Sequence, residues 1–259
     1  MRLHVKEFAG PPDSTLLVVH GGPDWDHSYL VEPLDRLAGE RRLLFPDLRG
    51  CGRSPAAEPL TPDAMVADLV ELIGSSPVDV LGFSYGGLIA QRLAVQAPGL
   101  VRRLIVASSS VLPVPPDAFA GWAEYERRAK AHPSVWDTSP LDGPALTRAE
   151  AFAAAPLNVW NQELLTAYLE RLERVRFTAS YLEPYRSGRF PSARYPDPVE
   201  RLRGLPLFLL HARQDMIFPA TLAGRTPCTG AVILEEAGHM AHIDQPDAWL
   251  AAVSGFLAG

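Results

Sequence analysis

The chain has 259 residues, 47% of them hydrophobic and 21% charged, an ordinary globular balance with ample apolar content for a buried core. A formal net charge of −6 with no long run of either sign leaves no basic face for nucleic acid, and no stretch approaches the ~20 apolar residues that span a bilayer. Cys51 and Cys228 form neither a metal knuckle nor a disulfide framework, and the N-terminal segment carries no apolar signal core, so a reducing, cytoplasmic setting is expected.

Through the first hundred residues, short apolar runs alternate with helical patterns. Leu16-Leu17-Val18-Val19 reads as a buried strand ending at His20-Gly21-Gly22-Pro23, and Arg42-Leu43-Leu44-Phe45 as a second, closed by Pro46 and Asp47. Thr61 predicts a helix cap, with Pro62 at the first helical position and Met65, Val66, Leu69, Val70 and Ile73 on one face. Val78-Asp79-Val80-Leu81 is the next strand, running into Gly82-Phe83-Ser84-Tyr85-Gly86, and a helix from Gly87 to Gln96 is stopped by Pro98. Leu104-Ile105-Val106-Ala107 is a further strand. This alternation implies an α/β fold, a mostly parallel sheet flanked by helices.

The rhythm breaks after Val111. Residues 112–198 are rich in proline, show no convincing strand and carry helical signals: a capping-box pattern at Thr147-Arg148-Ala149-Glu150 and an apolar stripe through Leu164, Leu165, Tyr168, Leu169, Leu172 and Val175. Strands resume at 205–210 and 232–234, before a last helix from about Asp247 to Leu257. The expected organisation is a core of 1–111 and 199–259, interrupted by a helical insertion at 112–198.

Gly82-Phe83-Ser84-Tyr85-Gly86 matches G-x-S-x-G between a strand and a helix, the setting in which flanking glycines permit a sharp turn that exposes a nucleophilic hydroxyl. A serine hydroxyl needs a base to take its proton, and the base needs a carboxylate to orient it. Asp215 follows strand 205–210 and His239 follows strand 232–234, so nucleophile, acid and base come in the chain order this architecture requires. Backbone N–H groups of Gly22 and Tyr85 are placed to receive an oxyanion. His239, His242 and Asp244 also have a spacing compatible with metal ligation, but His239 as base with His242 as a structural neighbour accounts for them better. Neither metal nor cofactor is expected.

With these motifs in order, the chain resembles the α/β-hydrolase superfamily, in the branch with a helical cap inserted between core strands. His20-Gly21-Gly22-Pro23, Asp47-Leu48-Arg49-Gly50-Cys51-Gly52-Arg53-Ser54, Gly82-Phe83-Ser84-Tyr85-Gly86-Gly87, Asp215 and Gly238-His239 carry the resemblance. It implies a serine hydrolase acting through an acyl-enzyme on a small-molecule ester, thioester, lactone or amide, with no nucleic-acid or membrane partner. His-Gly-Gly-Pro and the turn at 49–54 also resemble prolyl aminopeptidases, although Asp24 stands where those enzymes carry glycine and Phe83 and Tyr85 depart from their elbow. Peptidase activity is therefore one alternative, and a ligand-binding protein with little turnover is another. Asp24, Trp25, Trp122 and Trp160 are the candidate substrate contacts. The expected reading of Asp24 is a solvent-facing carboxylate, with Asp26 capping the helix that follows.

Overall fold

The computed structural model describes residues 1–189 and 192–259. Seven strands form one sheet in the order β1-β3-β2-β4-β5-β6-β7. They are β1 (Val5–Phe8), β2 (Thr15–Val19), β3 (Arg42–Pro46), β4 (Val78–Phe83), β5 (Val101–Ala107), β6 (Leu207–Ala212) and β7 (Gly230–Leu234). Every pairing is parallel except β1 against β3. The helices of the first half are α1 (Val31–Leu34), α2 (Pro62–Ile73) and α3 (Tyr85–Gln96). Between β5 and β6 the described residues hold five helices and no strand: α4 (Ala123–Ala131), α5 (Gly143–Asn158), α6 (Leu165–Glu173), α7 (Leu182–Arg186) and α8 (Pro198–Arg201). Two helices close the chain, α9 (Ala241–Asp244) and α10 (Pro246–Ala258). None of the described helices is long and apolar enough to cross a membrane.

The sheet is covered on both faces, which is why β2 and the later parts of β4 and β5 read as apolar runs rather than as alternations. Successive residues of β2 point to opposite sides. Leu16 and Val18 join Trp249, Leu250 and Val253 of α10 in one cluster. Leu17 and Val19 join Met65 and Leu69 of α2 and Ile89 and Leu93 of α3 in the other. The predicted cap of α2 is in place, Thr61 Oγ1 accepting from the Ala64 amide at 3.2 Å with Pro62 behind it.

One strand was not foreseen, and one expectation needs correction. Strand β1 was not legible because it is a short edge strand whose residues are half-buried or exposed. The capping-box reading of 147–150 fails because α5 begins a turn earlier, with Asp142 at its N-cap position and Pro144 in its first turn, so Thr147 lies inside the helix. The Glu150 carboxylate instead accepts from the Val135 amide at 2.7 Å and from Ser134 Oγ at 3.0 Å.

Asp79, within β4, is a completely buried acidic residue. Arg41 and Arg102 bond its two oxygens at 2.9–3.1 Å, with Arg103 at 3.6 Å. Removing the carboxylate leaves three partly exposed guanidinium groups with only the Leu257 and Asp13 carbonyls as partners among the described residues. Asp79→Ala should lower stability by about 3 kcal/mol, read as a shift in urea midpoint without a change in slope.

Candidate active site

The elbow is built by close approach. A Cβ on Gly86 would sit 2.2 Å from the Val19 carbonyl oxygen, and one on Gly82 would sit 2.7 Å from the Gly87 Cα. Only glycine lets α3 start this close to β2 and β4. Ser84, between them, is held at φ 54°, ψ −123°, a left-handed conformation that a non-glycine residue adopts at a cost. The turn presents its hydroxyl at the N-terminal end of α3, the electropositive end of a twelve-residue helix.

The loops after β6 and β7 bring the other two side chains to this point. Ser84 Oγ lies 3.0 Å from His239 Nε2, and His239 Nδ1 lies 3.0 and 3.1 Å from the two Asp215 oxygens. Asp215 is itself fixed by its loop, Oδ1 accepting from the amides of Ile217 at 2.8 Å and Phe218 at 2.9 Å. A carboxylate so held on Nδ1–H leaves Nε2 as an acceptor facing the serine. Phe83 and Phe218 flank the imidazole, with ring centroids 5.3 and 6.0 Å away.

Gly22, on the loop after β2, lines the same cavity as Ser84, and Tyr85 follows Ser84 at the start of α3. The Gly22 loop is pinned from below. The Gly21 amide donates to Tyr29 Oη at 2.8 Å, and His20 Nε2 accepts from the Leu48 amide at 2.9 Å while Nδ1 donates to the Gly21 carbonyl. Burial pushes the His20 pKa down, which keeps this buried ring neutral.

Asp24 is where sequence and structure part. It does not face solvent: it is 5% exposed and lies at φ 70°. Its carboxylate accepts from Thr178 Oγ1 at 2.9 Å and from the Tyr181 amide at 3.1 and 3.3 Å, and its carbonyl accepts from the Thr178 amide at 2.8 Å. The same segment holds the Gly50 carbonyl through the Ser180 hydroxyl at 2.8 Å. Asp24 thus ties the Gly22 loop to the insertion through both of its carboxylate oxygens. Asp26 does cap its short helix, accepting from the Ser28 amide at 3.0 Å.

Burial raises the Asp24 pKa above its usual 3.8, outweighing its hydrogen bonds. The folded protein therefore keeps this proton to a higher pH than the unfolded chain does, and stability is lost as pH rises from the ordinary Asp range through the raised pKa. Asp24→Asn removes that charge and keeps an acceptor for the Tyr181 amide. Its unfolding midpoint at neutral pH should equal or exceed that of wild type, whereas Asp24→Ala should fall below it.

A cavity of about 300 Å³ opens over Ser84 and His239. Trp25 lines it, packed edge-on against Tyr29 and Phe177 at 5.3 and 5.5 Å. Trp122 and Trp160 do not. They stack on each other at 6.5 Å, and Trp160 donates Nε1–H to Glu236 and receives the Arg128 guanidinium on its face. Trp136, Tyr181, Tyr185 and Ile217 form the wall instead. His242 and Asp244 are not poised toward a shared ligand. His242 Nε2 meets the Tyr29 carbonyl at 3.2 Å, and Asp244 accepts from the amides of Gly238, Trp160 and Asn161.

Comparison with known proteins agrees with this architecture. The chain is 28% identical over 262 residues to 2-hydroxymuconate semialdehyde hydrolase of Pseudomonas sp., covering 94% of this chain and 86% of that protein. It is 36% identical over 112 residues to lipase LipV of Mycobacterium tuberculosis, a match spanning only 42% of each chain. A thermophilic esterase from Thermogutta terrifontis superposes with a TM-score of 0.74 at 23% identity, over 99% of this chain and 93% of that one. The sequence profile of the alpha/beta hydrolase family matches residues 16–253, nearly the whole chain, and the protein belongs to that family.

Proposed function

We propose that the protein is a serine hydrolase whose catalytic triad is Ser84, His239 and Asp215. One observation carries the reading: a continuous hydrogen-bonded line from Ser84 Oγ through both ring nitrogens of His239 to Asp215, opening into the cavity. Ser84 Oγ attacks the substrate carbonyl carbon while His239 Nε2 takes its proton. Asp215 holds the imidazole in its tautomer and stabilises the imidazolium. The amides of Gly22 and Tyr85 receive the oxyanion. His239 then protonates the leaving group, and a water deprotonated by the same nitrogen releases the acyl group from Ser84.

In this reading residues 112–198 form the cap, and the apolar wall it supplies suits a small to medium acyl substrate. Ester or thioester cleavage is favoured over aminopeptidase action, because the carboxylate best placed for a free amine in the sequence, Asp24, is bound to Thr178 and Tyr181. A panel of p-nitrophenyl ester, acyl thioester, lactone and aminoacyl amide should give sustained multiple turnovers on the first two. A single slow turnover on every member would instead indicate a binding protein.

A further inference from the structure

We infer that the cavity selects acyl chains whose far end carries a hydrogen-bond donor, a hydroxyl or an amine, and rejects those ending in a carboxylate. This rests on the triad reading above and assigns specificity to α5.

The C-terminal end of α5 is anchored beside the catalytic histidine, since the Asn158 carbonyl accepts from the Met240 amide at 2.8 Å. Thr147 and Glu150 line the same cavity. They stand eleven and eight residues before Asn158 on one helix, roughly 16 and 12 Å along its axis at 1.5 Å per residue. Separated by three residues, they share a face. The cavity between is walled by Trp136, Ala151, Ala154 and Leu182, so an extended acyl chain bound at Ser84 runs over apolar surface before it meets them.

Both residues have capacity to spare. Thr147 is 2% exposed and its hydroxyl has no hydrogen-bond partner among the described residues. A helical threonine ordinarily settles such a hydroxyl on a carbonyl of the preceding turn; here it does not. Glu150 uses Oε2 for Ser134 and Val135, and Oε1 accepts no hydrogen bond among the described residues. The charge balance points the same way. The described lining contains the Glu150 carboxylate, with Asp24 bound to Thr178 and Tyr181, and no lysine or arginine, so neither of these cations is there to pair with a substrate anion. A carboxylate arriving beside Glu150, which is itself half-buried, meets like-charge repulsion.

The test compares p-nitrophenyl esters of octanoate, ω-hydroxyoctanoate, ω-aminooctanoate and suberate (the last as its monoester), with each kcat/KM divided by that of octanoate in the same enzyme. Such ratios do not depend on the amount of folded protein. In wild type the suberate ratio should fall below about one thirtieth, and at least one donor-bearing ester should exceed octanoate. The larger gain for the amine would identify Glu150 as the dominant contact, and for the hydroxyl, Thr147. Glu150→Gln should raise the suberate ratio about tenfold, and Thr147→Val should lower the hydroxyl ratio about threefold to tenfold. Depression of the amino and suberate esters alike, equal ratios for all four, or a suberate ratio unmoved by Glu150→Gln would overturn the inference while the triad reading stood. Octanoate hydrolysis persisting in Ser84→Ala would overturn both.

Discussion

Ser84→Ala should reduce kcat by at least about a thousandfold, the order of loss when a triad nucleophile is removed and only positioning and the oxyanion donors remain. The substitution removes one hydroxyl from a half-buried position without disturbing the glycines that shape the turn. Alanine at φ 54° meets the same backbone strain that serine already tolerates, so the fold should persist. Circular dichroism and the urea midpoint should therefore match wild type while turnover of a p-nitrophenyl ester disappears. Undiminished turnover would remove Ser84 from the mechanism.

The second large effect separates two histidines three residues apart. His239→Ala should abolish measurable turnover, because no other base lies within hydrogen-bonding distance of Ser84 Oγ in the described structure. His242→Ala should act mainly on stability. His242 is fully buried against Phe83 and Trp249, with ring centroids 5.2 and 5.7 Å away, and faces the Tyr29 carbonyl rather than the serine. Truncating it leaves a cavity under the elbow and should destabilise the fold by about 2 kcal/mol or more, with kcat retained within about tenfold.

The pH dependence gives a separate signature. Burial pushes the His242 pKa from its usual 6.5 to about 3. The unfolded chain therefore takes up a proton first, and the stability this neutral ring contributes is present above pH 6.5 and lost as pH falls toward 3. That portion of the acid destabilisation should vanish in His242→Ala. The opposite ranking of the two variants in kcat would exchange their roles.

Much of this arrangement was legible because its physics is local. Strands covered on both faces must be apolar throughout, so Leu16–Val19 and Leu104–Ala107 announce themselves. The elbow requires glycine on both sides of Ser84, and the order of Ser84, Asp215 and His239 follows from where successive strands end. What was not legible depends on partners distant in the chain. Asp24 looks like any loop carboxylate until Thr178 and Tyr181, more than 150 residues away, close over it. Trp136 and Trp160 are equivalent as sequence. One lines the cavity and the other stacks on Trp122 because of how α4 and α5 pack, which no local pattern encodes. Thr147 was misplaced by one helical turn because two start signals compete, and Asp142 with Pro144 prevails over the capping box.

The most direct test of the triad assignment is covalent. Incubation with a fluorophosphonate ester, followed by intact-mass measurement and peptide mapping, should give a single phosphonyl adduct located on Ser84. The adduct should be absent from Ser84→Ala and form far more slowly on His239→Ala, while His242→Ala should label at nearly the wild-type rate. An adduct on any other serine, or labelling of Ser84 at an unchanged rate without His239, would contradict the assignment of nucleophile and base.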